Sequence, residues 1–219
     1  MSAGQDWIVP RGTLFTLTAE ASDPDGDGLF YAWEQRDGGA PASFPLLDTG
    51  SGPLFRSFAP VSSPSRTFPR LEEVLEGTLA IGESYPTTDR VMNFRVTARD
   101  NRAGGGATAF DDATVTVTTQ SGPFRVLTPM PGALWSGTRV VTWDVAGTDQ
   151  SPLLTQSVSI YLSVDGGATF PTQLASETAN DGAEVVTMPA GIQSDQARVM
   201  VRADGAIYFD VSDGNFTIS

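Results

Sequence analysis

Histidine, cysteine and lysine are all missing from this sequence, and every one of its 13 basic residues is arginine. Without histidine the chain lacks the commonest general base and the commonest zinc ligand. Without cysteine it has no disulfide and no thiol nucleophile, and cysteine usage carries no information on compartment. Without lysine, Schiff-base chemistry and a Ser–Lys dyad are excluded. Positive charge is scarce as well: 13 bases against 26 acids give a net charge of −13. Phosphate neutralisation needs a basic surface, so nucleic acid is not an expected partner, and anionic membranes are disfavoured for the same reason. No run approaches the roughly 18 apolar residues of a membrane-spanning helix, and the opening Met1-Ser2-Ala3-Gly4 has no signal-peptide character. Strand-like sequence begins almost at once, which reads as a piece of a longer protein with Met1 added for expression.

What is present points to sheet. Apolar residues make up 40% of the 219 positions, enough for a sizeable core and against disorder. The 23 glycines and 15 prolines, with many Thr and Ser, signal a turn-rich chain, and no long stretch has helical periodicity. The expected fold class is all-β, as two tandem antiparallel β-sandwiches spanning 1–121 and 122–219, with Gln120-Ser121-Gly122-Pro123 as the junction.

The most distinctive stretch is Asp23-Pro24-Asp25-Gly26-Asp27-Gly28, three carboxylates at alternate positions in a turn. Unpaired, they repel one another; a hard cation such as Ca²⁺, which takes six to eight oxygen ligands, is the usual remedy. The stretch also matches the calcium-loop pattern that closes with a Glu, here Glu34. That pattern needs a helix on each side. Here Thr13–Ala19 and Leu29–Glu34 alternate as strands, which would carry Glu34 about 23 Å beyond Asp27. The expectation is therefore a calcium-binding turn between two strands, with Asp23, Asp25 and Asp27 as ligands. Asp100 and Asp112, beside the turn between the next two strands, are the expected completing ligands. A solvated acidic turn without metal is the alternative.

Residues 36–90 read as an irregular insertion that packs on the first sandwich, with Pro41, Pro45 and Pro53 among its breakers and one short helix at Leu71–Leu75. Its aromatics Phe55, Phe58 and Phe68, together with Trp135, are the candidate binding surface. Strands are expected at Val91–Ala98 and Ala113–Thr118. In the second half they are expected from Phe124–Leu127 through to Asn215–Ile218, with a hairpin turn at Asp165-Gly166-Gly167.

These residues resemble known modules. Ser22–Leu29 followed by Tyr31-Ala32-Trp33 is similar to PKD and cadherin-like bacterial surface domains, and the second half to an immunoglobulin or fibronectin type III sandwich. Longer phrases resemble the C-terminal region of secreted bacterial reprolysin-like zinc metalloproteases. They are Gly52–Phe58, Ser65–Leu71, Asn93–Arg102 and Leu162-Ser163-Val164-Asp165-Gly166-Gly167-Ala168-Thr169-Phe170-Pro171. The resemblance implies an extracellular, calcium-binding accessory region, secreted or at the cell surface. It does not imply a protease, because the zincin signature needs histidines.

Two functional readings follow. One is a non-catalytic accessory module of a larger protein, engaging a protein or polysaccharide ligand and adjoining neighbouring domains. The other is a purely structural, calcium-rigidified spacer. A carboxylate-dependent glycoside hydrolase stands behind both: Asp144, Asp149, Asp181, Glu184, Asp204, Asp210 and Asp213 are acids, but none sits in a distinguishing motif. Trp33 and Trp143, mid-strand among apolar neighbours, are expected in the core.

Overall fold

A computed structural model describes residues 1–39 and 46–219; Pro41 and Pro45 lie outside that description. The first half contains β1 (Trp7–Pro10), β2 (Leu14–Thr18), β3 (Phe30–Gln35), β4 (Ser65–Phe68), helix α1 (Leu71–Leu75), β5 (Arg90–Arg99) and β6 (Thr108–Thr118). The second contains β7 (Arg125–Thr128), β8 (Leu134–Trp135), β9 (Thr138–Asp144), β10 (Ser157–Ser163) and β11 (Thr172–Ala179). It continues with β12 (Ala183–Thr187), β13 (Ser194–Ala203), β14 (Tyr208–Val211) and β15 (Phe216–Ile218). The fold is all-β, and α1 forms over the residues where a helix is expected.

One long sheet organises both halves. Its strands run β11-β10-β13-β14-β2-β4, so β14 of the second half pairs with β2 of the first. The ladder at this seam is short and antiparallel: Tyr208 lies opposite Phe15, and Phe209 opposite Leu14. A sheet of order β1-β6-β5-β3 covers the β2–β4 end, and one of order β12-β9-β7 belongs to the second half. A single buried cluster runs through both halves, from Phe94 and Val115 to Trp143 and Val199.

Side-chain alternation explains how the seam is sealed. Successive residues of a strand point to opposite faces. Phe15 and Tyr208 enter the main core, while Leu14, Phe209 and Val211 form a second cluster on the other face. That second cluster is capped by Leu71, Val74 and Leu75 of α1 and by Phe170. Glycine at 167 leaves room for Leu75: a Cβ there would lie 2.8 Å from a Leu75 methyl, so the leucine would have to shift. The junction at 120–123 is fastened on both sides. Arg11 N donates to Ser121 O at 3.2 Å, Gly122 N to Ala146 O at 2.9 Å, and the Ser121 hydroxyl to Gly147 O at 3.0 Å.

The 36–90 segment is more regular than expected. Ser65–Phe68 is a strand of the shared sheet, paired residue by residue with β2. Asp48, its side chain fully buried, accepts from Thr87 N and Thr88 N and pairs with Arg90 at 2.9 Å, tying residues 46–52 to the start of β5. Burial pushes the Asp48 carboxyl up, but the amides of Gly50, Thr87 and Thr88 outweigh it and hold it below the usual range.

Phe15 touches every part of this arrangement: its ring stacks 5.3 Å from Phe68 and meets Phe55 and Phe94 edge-on at 6.0 Å. Phe15→Ala is expected to cost about 3–5 kcal/mol, the range for emptying a buried aromatic site. Calorimetry should show the loss in one cooperative transition for the whole chain. Two separate transitions would mean that the halves unfold independently.

Candidate metal centre

The acidic turn is built by its own first residue. Asp23 Oδ1 accepts the amides of Asp25 at 2.9 Å and Asp27 at 3.0 Å, a local Asx-type closure that brings the three residues together. One oxygen from each of Asp23, Asp25 and Asp27 lies within 4.8 Å of the others, the only such group of three among the described residues. Asp27 Oδ2 is closed off from solvent and accepts no hydrogen bond among the described residues.

Pairing of β3 with β5 and β5 with β6 sets what else reaches the turn. Phe30 lies opposite Arg99, and Arg99 opposite Thr108, so the turn before β3 and the loop between β5 and β6 share one end of the sheet. Asp100 is at that end but is not part of the three-carboxylate group. Its two oxygens accept the amides of Arg102 at 3.1 Å and Ala107 at 2.9 Å, and these donors hold its carboxyl below the usual range. Asp100 therefore shapes the loop, with both of its oxygens engaged by the loop's own amides. What it positions is Arg102, whose Nη1 pairs with Asp25 and lies 3.6 Å from Asp27 Oδ2. Sequence reasoning misses Arg102 because only the strand register brings its loop to the turn.

Asp112 is a clear correction. Strand β6 starts at Thr108, not after the acidic pair, so Asp112 sits inside the ladder directly opposite Arg95. Arg95 binds it through Nε and Nη2, each at 2.7 Å, and Arg36 adds a contact at 3.4 Å. The arginine opposite it makes an acid tolerable mid-strand. Four residues of extended chain, about 13 Å, separate Asp112 from the end where the turn lies.

The residues present fit a hard cation in part. Three carboxylates against one guanidinium leave a net charge of −2, and all the donors are oxygen, which suits calcium. Asp23, Asp25 and Asp27 would hold the ion, with Arg102 as a resident competitor for the same oxygens.

The expected binding surface does not form. Phe55 is 4% exposed, Phe68 0% and Trp135 8%. Phe55 and Phe68 pack with Phe15 and Phe94, and Trp135 packs 5.2 Å from Phe216. Aromatic residues spaced through an irregular segment are what fastens it to a core, so burial wins over display. Only Phe58 is partly exposed, and the guanidinium groups of Arg56, Arg66 and Arg70 lie 4.5–5.0 Å from its ring. A groove of about 590 Å³ opens beside it. Two of these charges are matched internally: Arg66 to Glu83 at 2.9 Å, and Arg70 to Glu72 and Glu73. Burial pushes the Glu83 carboxyl up to about 7 even though Arg66 opposes it.

No protein-family model matches the chain, and no curated protein matches it. Among solved structures, a chimeric titin Z1Z2–Z1Z2 tandem aligns at 14% identity over 98% of this chain and 95% of that one, with a TM-score of 0.31. The titin Z1Z2 domains in complex with telethonin align at 12% over 98% and 92%, with a TM-score of 0.27. The chicken CNTN1 FN1–FN3 domains align at 9% over 94% and 59%, with a TM-score of 0.29. Likeness at this level carries no argument; the all-β architecture rests on the strands themselves.

The two acid–arginine pairs should respond differently to truncation. Glu83→Ala leaves a guanidinium that is only 11% exposed without its carboxylate, so a loss of about 3–5 kcal/mol is expected. Asp112→Ala breaks a pair whose acid is 49% exposed, and should cost no more than about 1 kcal/mol. Urea denaturation of both variants checks this, and comparable losses would contradict the burial argument.

Proposed function

We propose that this chain is a non-catalytic, rigid structural module of a larger secreted or cell-surface protein, stabilised by calcium at its acidic turn. The observation that carries the reading is the seam: a shared sheet, with hydrophobic packing on both faces, fixes the two halves relative to each other. A unit of this kind, with the halves divided between 121 and 122, would hold neighbouring domains of a parent chain at a set spacing. Phrases such as Leu162–Pro171 favour a bacterial parent of the metalloprotease type. No helix among the described residues is long and apolar enough to cross a membrane.

A binding role is the second reading, and one surface favours it. On the sheet β12-β9-β7, Val185 (62% exposed) lies opposite Val140 (47%), with Leu127 (52%) on β7. Threonines 138, 142 and 187 complete this uncharged area on an otherwise acidic protein. A protein or polysaccharide ligand would engage it without facing the −13 net charge.

Thermal unfolding of the EDTA-treated protein across a calcium titration, with magnesium as control, tests the metal. A ligand that binds only the folded state adds about 2.7 kcal/mol at a hundredfold excess over its dissociation constant. A calcium-specific rise in Tm is expected, abolished by Asp25→Ala. Arg102→Ala should enlarge the rise by removing the competing guanidinium, while lowering the Tm of the metal-free protein slightly. A calcium response unchanged by both substitutions would remove the turn from consideration.

A further inference from the structure

Beside the seam lies a cleft of about 770 Å³, bounded by both halves. Its floor is apolar, formed by Val74, Leu75, Pro123 and Val211. Its walls reverse the charge balance of the protein: three arginines, Arg11, Arg125 and Arg198, against two acids, Asp210 and Asp213. The chain as a whole has 26 acids and 13 bases.

None of these arginines makes an ion pair among the described residues, although Asp213 acts on Arg198 and Asp210 on Arg125 from a longer distance. Arg198 is buried, and its donors go to neutral acceptors: Nε to Asn215 Oδ1 at 2.6 Å, Nη1 to Ser212 O at 2.7 Å and Nη2 to Leu75 O at 3.1 Å. Arg11 and Arg125 are exposed at the rim and, like Arg198, make no ion pair among the described residues. Asp210 offers little compensation. Its Oδ2 accepts the Val126 amide at 2.7 Å, and burial pushes its carboxyl up to about 7, so below neutral pH it is a neutral group. The Tyr85 phenol, held well above its ordinary value by burial and by Asp210, stays a hydrogen-bond donor.

We propose that this cleft binds an organic monoanion, a carboxylate on a short apolar body. Arg11 and Arg125 hold the carboxylate, the Tyr85 hydroxyl donates to it, and Val74, Leu75 and Pro123 take the apolar part. Guanidinium groups match a carboxylate with paired, charge-assisted hydrogen bonds. Clefts between packed units with an apolar lining and a few converging polar groups are where small ligands bind. A dianion such as phosphate is disfavoured, because Asp213 shares the cleft and nothing on the floor can solvate a second charge. A cation is disfavoured by the unpaired arginines. The inference does not depend on the acidic turn or on calcium.

Hexanoate is the probe, followed by saturation-transfer NMR and by isothermal titration on the full chain, with hexanamide and inorganic phosphate as controls. Saturable binding of hexanoate is expected, none of hexanamide, and weaker binding of phosphate. Arg125→Ala, at an exposed position, should leave Tm unchanged and weaken hexanoate by about tenfold, the equivalent of 1.4 kcal/mol. A pH profile supplies a readout that a merely structural role would not move. Three titratable or charged groups act on Asp210, Arg125 from β7, Asp213 from the turn after β14 and Tyr85 from the segment before β5, while Arg198 from β13 and Arg11 after β1 line the same cleft. As pH rises through the Asp210 value near 7, its carboxyl becomes an anion and repels the ligand, so affinity should fall. Asp210→Asn keeps the acceptor for the Val126 amide and should flatten the profile. Absence of saturable hexanoate binding, equal binding of hexanamide, or undiminished binding in the Arg11→Ala/Arg125→Ala double variant would each overturn the proposal. A flat profile in the unmodified protein would likewise overturn the placement of the carboxylate beside Asp210.

Discussion

Everything in this molecule hangs on a ladder two residue pairs long, Tyr208 opposite Phe15 and Phe209 opposite Leu14. It joins strands from opposite ends of the chain, so its formation closes nearly the longest loop available and is entropically costly. Backbone hydrogen bonds of net value near 1 kcal/mol each could not offset that cost alone. The aromatic and aliphatic side chains do, because the two strands place apolar groups on both faces at once. Removing the α1 cap would take Leu71, Val74 and Leu75 off Leu14 and Phe209, and the seam would lose much of the apolar burial on that face. The 36–90 segment is therefore not an accessory to the first sandwich: through β4 and α1 it completes the joint between the halves.

Charge follows the same economy of place. Arg66–Glu83 and Arg90–Asp48 are buried pairs, each at 2.9 Å. Such pairs contribute little net stability when intact and cost several kcal/mol when one partner is lost. Their effect here is on register. Glu83 also accepts the Arg70 amide at 3.1 Å, locking β4 to the chain that returns toward β5, and Asp48 sets where β5 begins. Arginine suits both sites because its fork satisfies several acceptors together, as Arg66 does with Trp33 O, Arg56 O and Glu83. With these arginines committed to pairs, much of the remaining surface is left to acids.

Much of this architecture is legible in the sequence. The alternation of Met92, Phe94, Val96 and Ala98 is that of a half-buried strand, and all four are buried in β5. The acidic turn is plain in the spacing of Asp23, Asp25 and Asp27, because a local backbone closure needs only local residues. What escapes is anything decided by register between distant strands. Asp112 looks like a turn residue until Arg95 is placed opposite it, and Arg102 has no significance until β3 lies beside β5. The shared sheet does leave a trace. Leu14-Phe15 and Tyr208-Phe209 are consecutive apolar pairs, which break the alternation of a one-sided strand and belong to strands covered on both faces. Phe55 and Phe68 mislead for the opposite reason, since an aromatic in irregular sequence reads the same whether it anchors a loop or faces solvent.

Strand β2 links the seam to the acidic turn, since its first residues enter the ladder with β14 and its last lead toward Asp23. Between them the strand is held laterally by four pairs to β4, from Phe15–Phe68 to Thr18–Ser65. A well-packed core transmits displacement poorly unless an element has two discrete arrangements, and β2 has only one register compatible with its buried face. A cation at the turn would therefore stiffen the approach to β3 and compete with Arg102 of the β5–β6 loop for the same oxygens, without altering the angle between the halves. Orientation in this protein is a property of hydrophobic packing, and metal binding would act locally on the far end of the first sandwich.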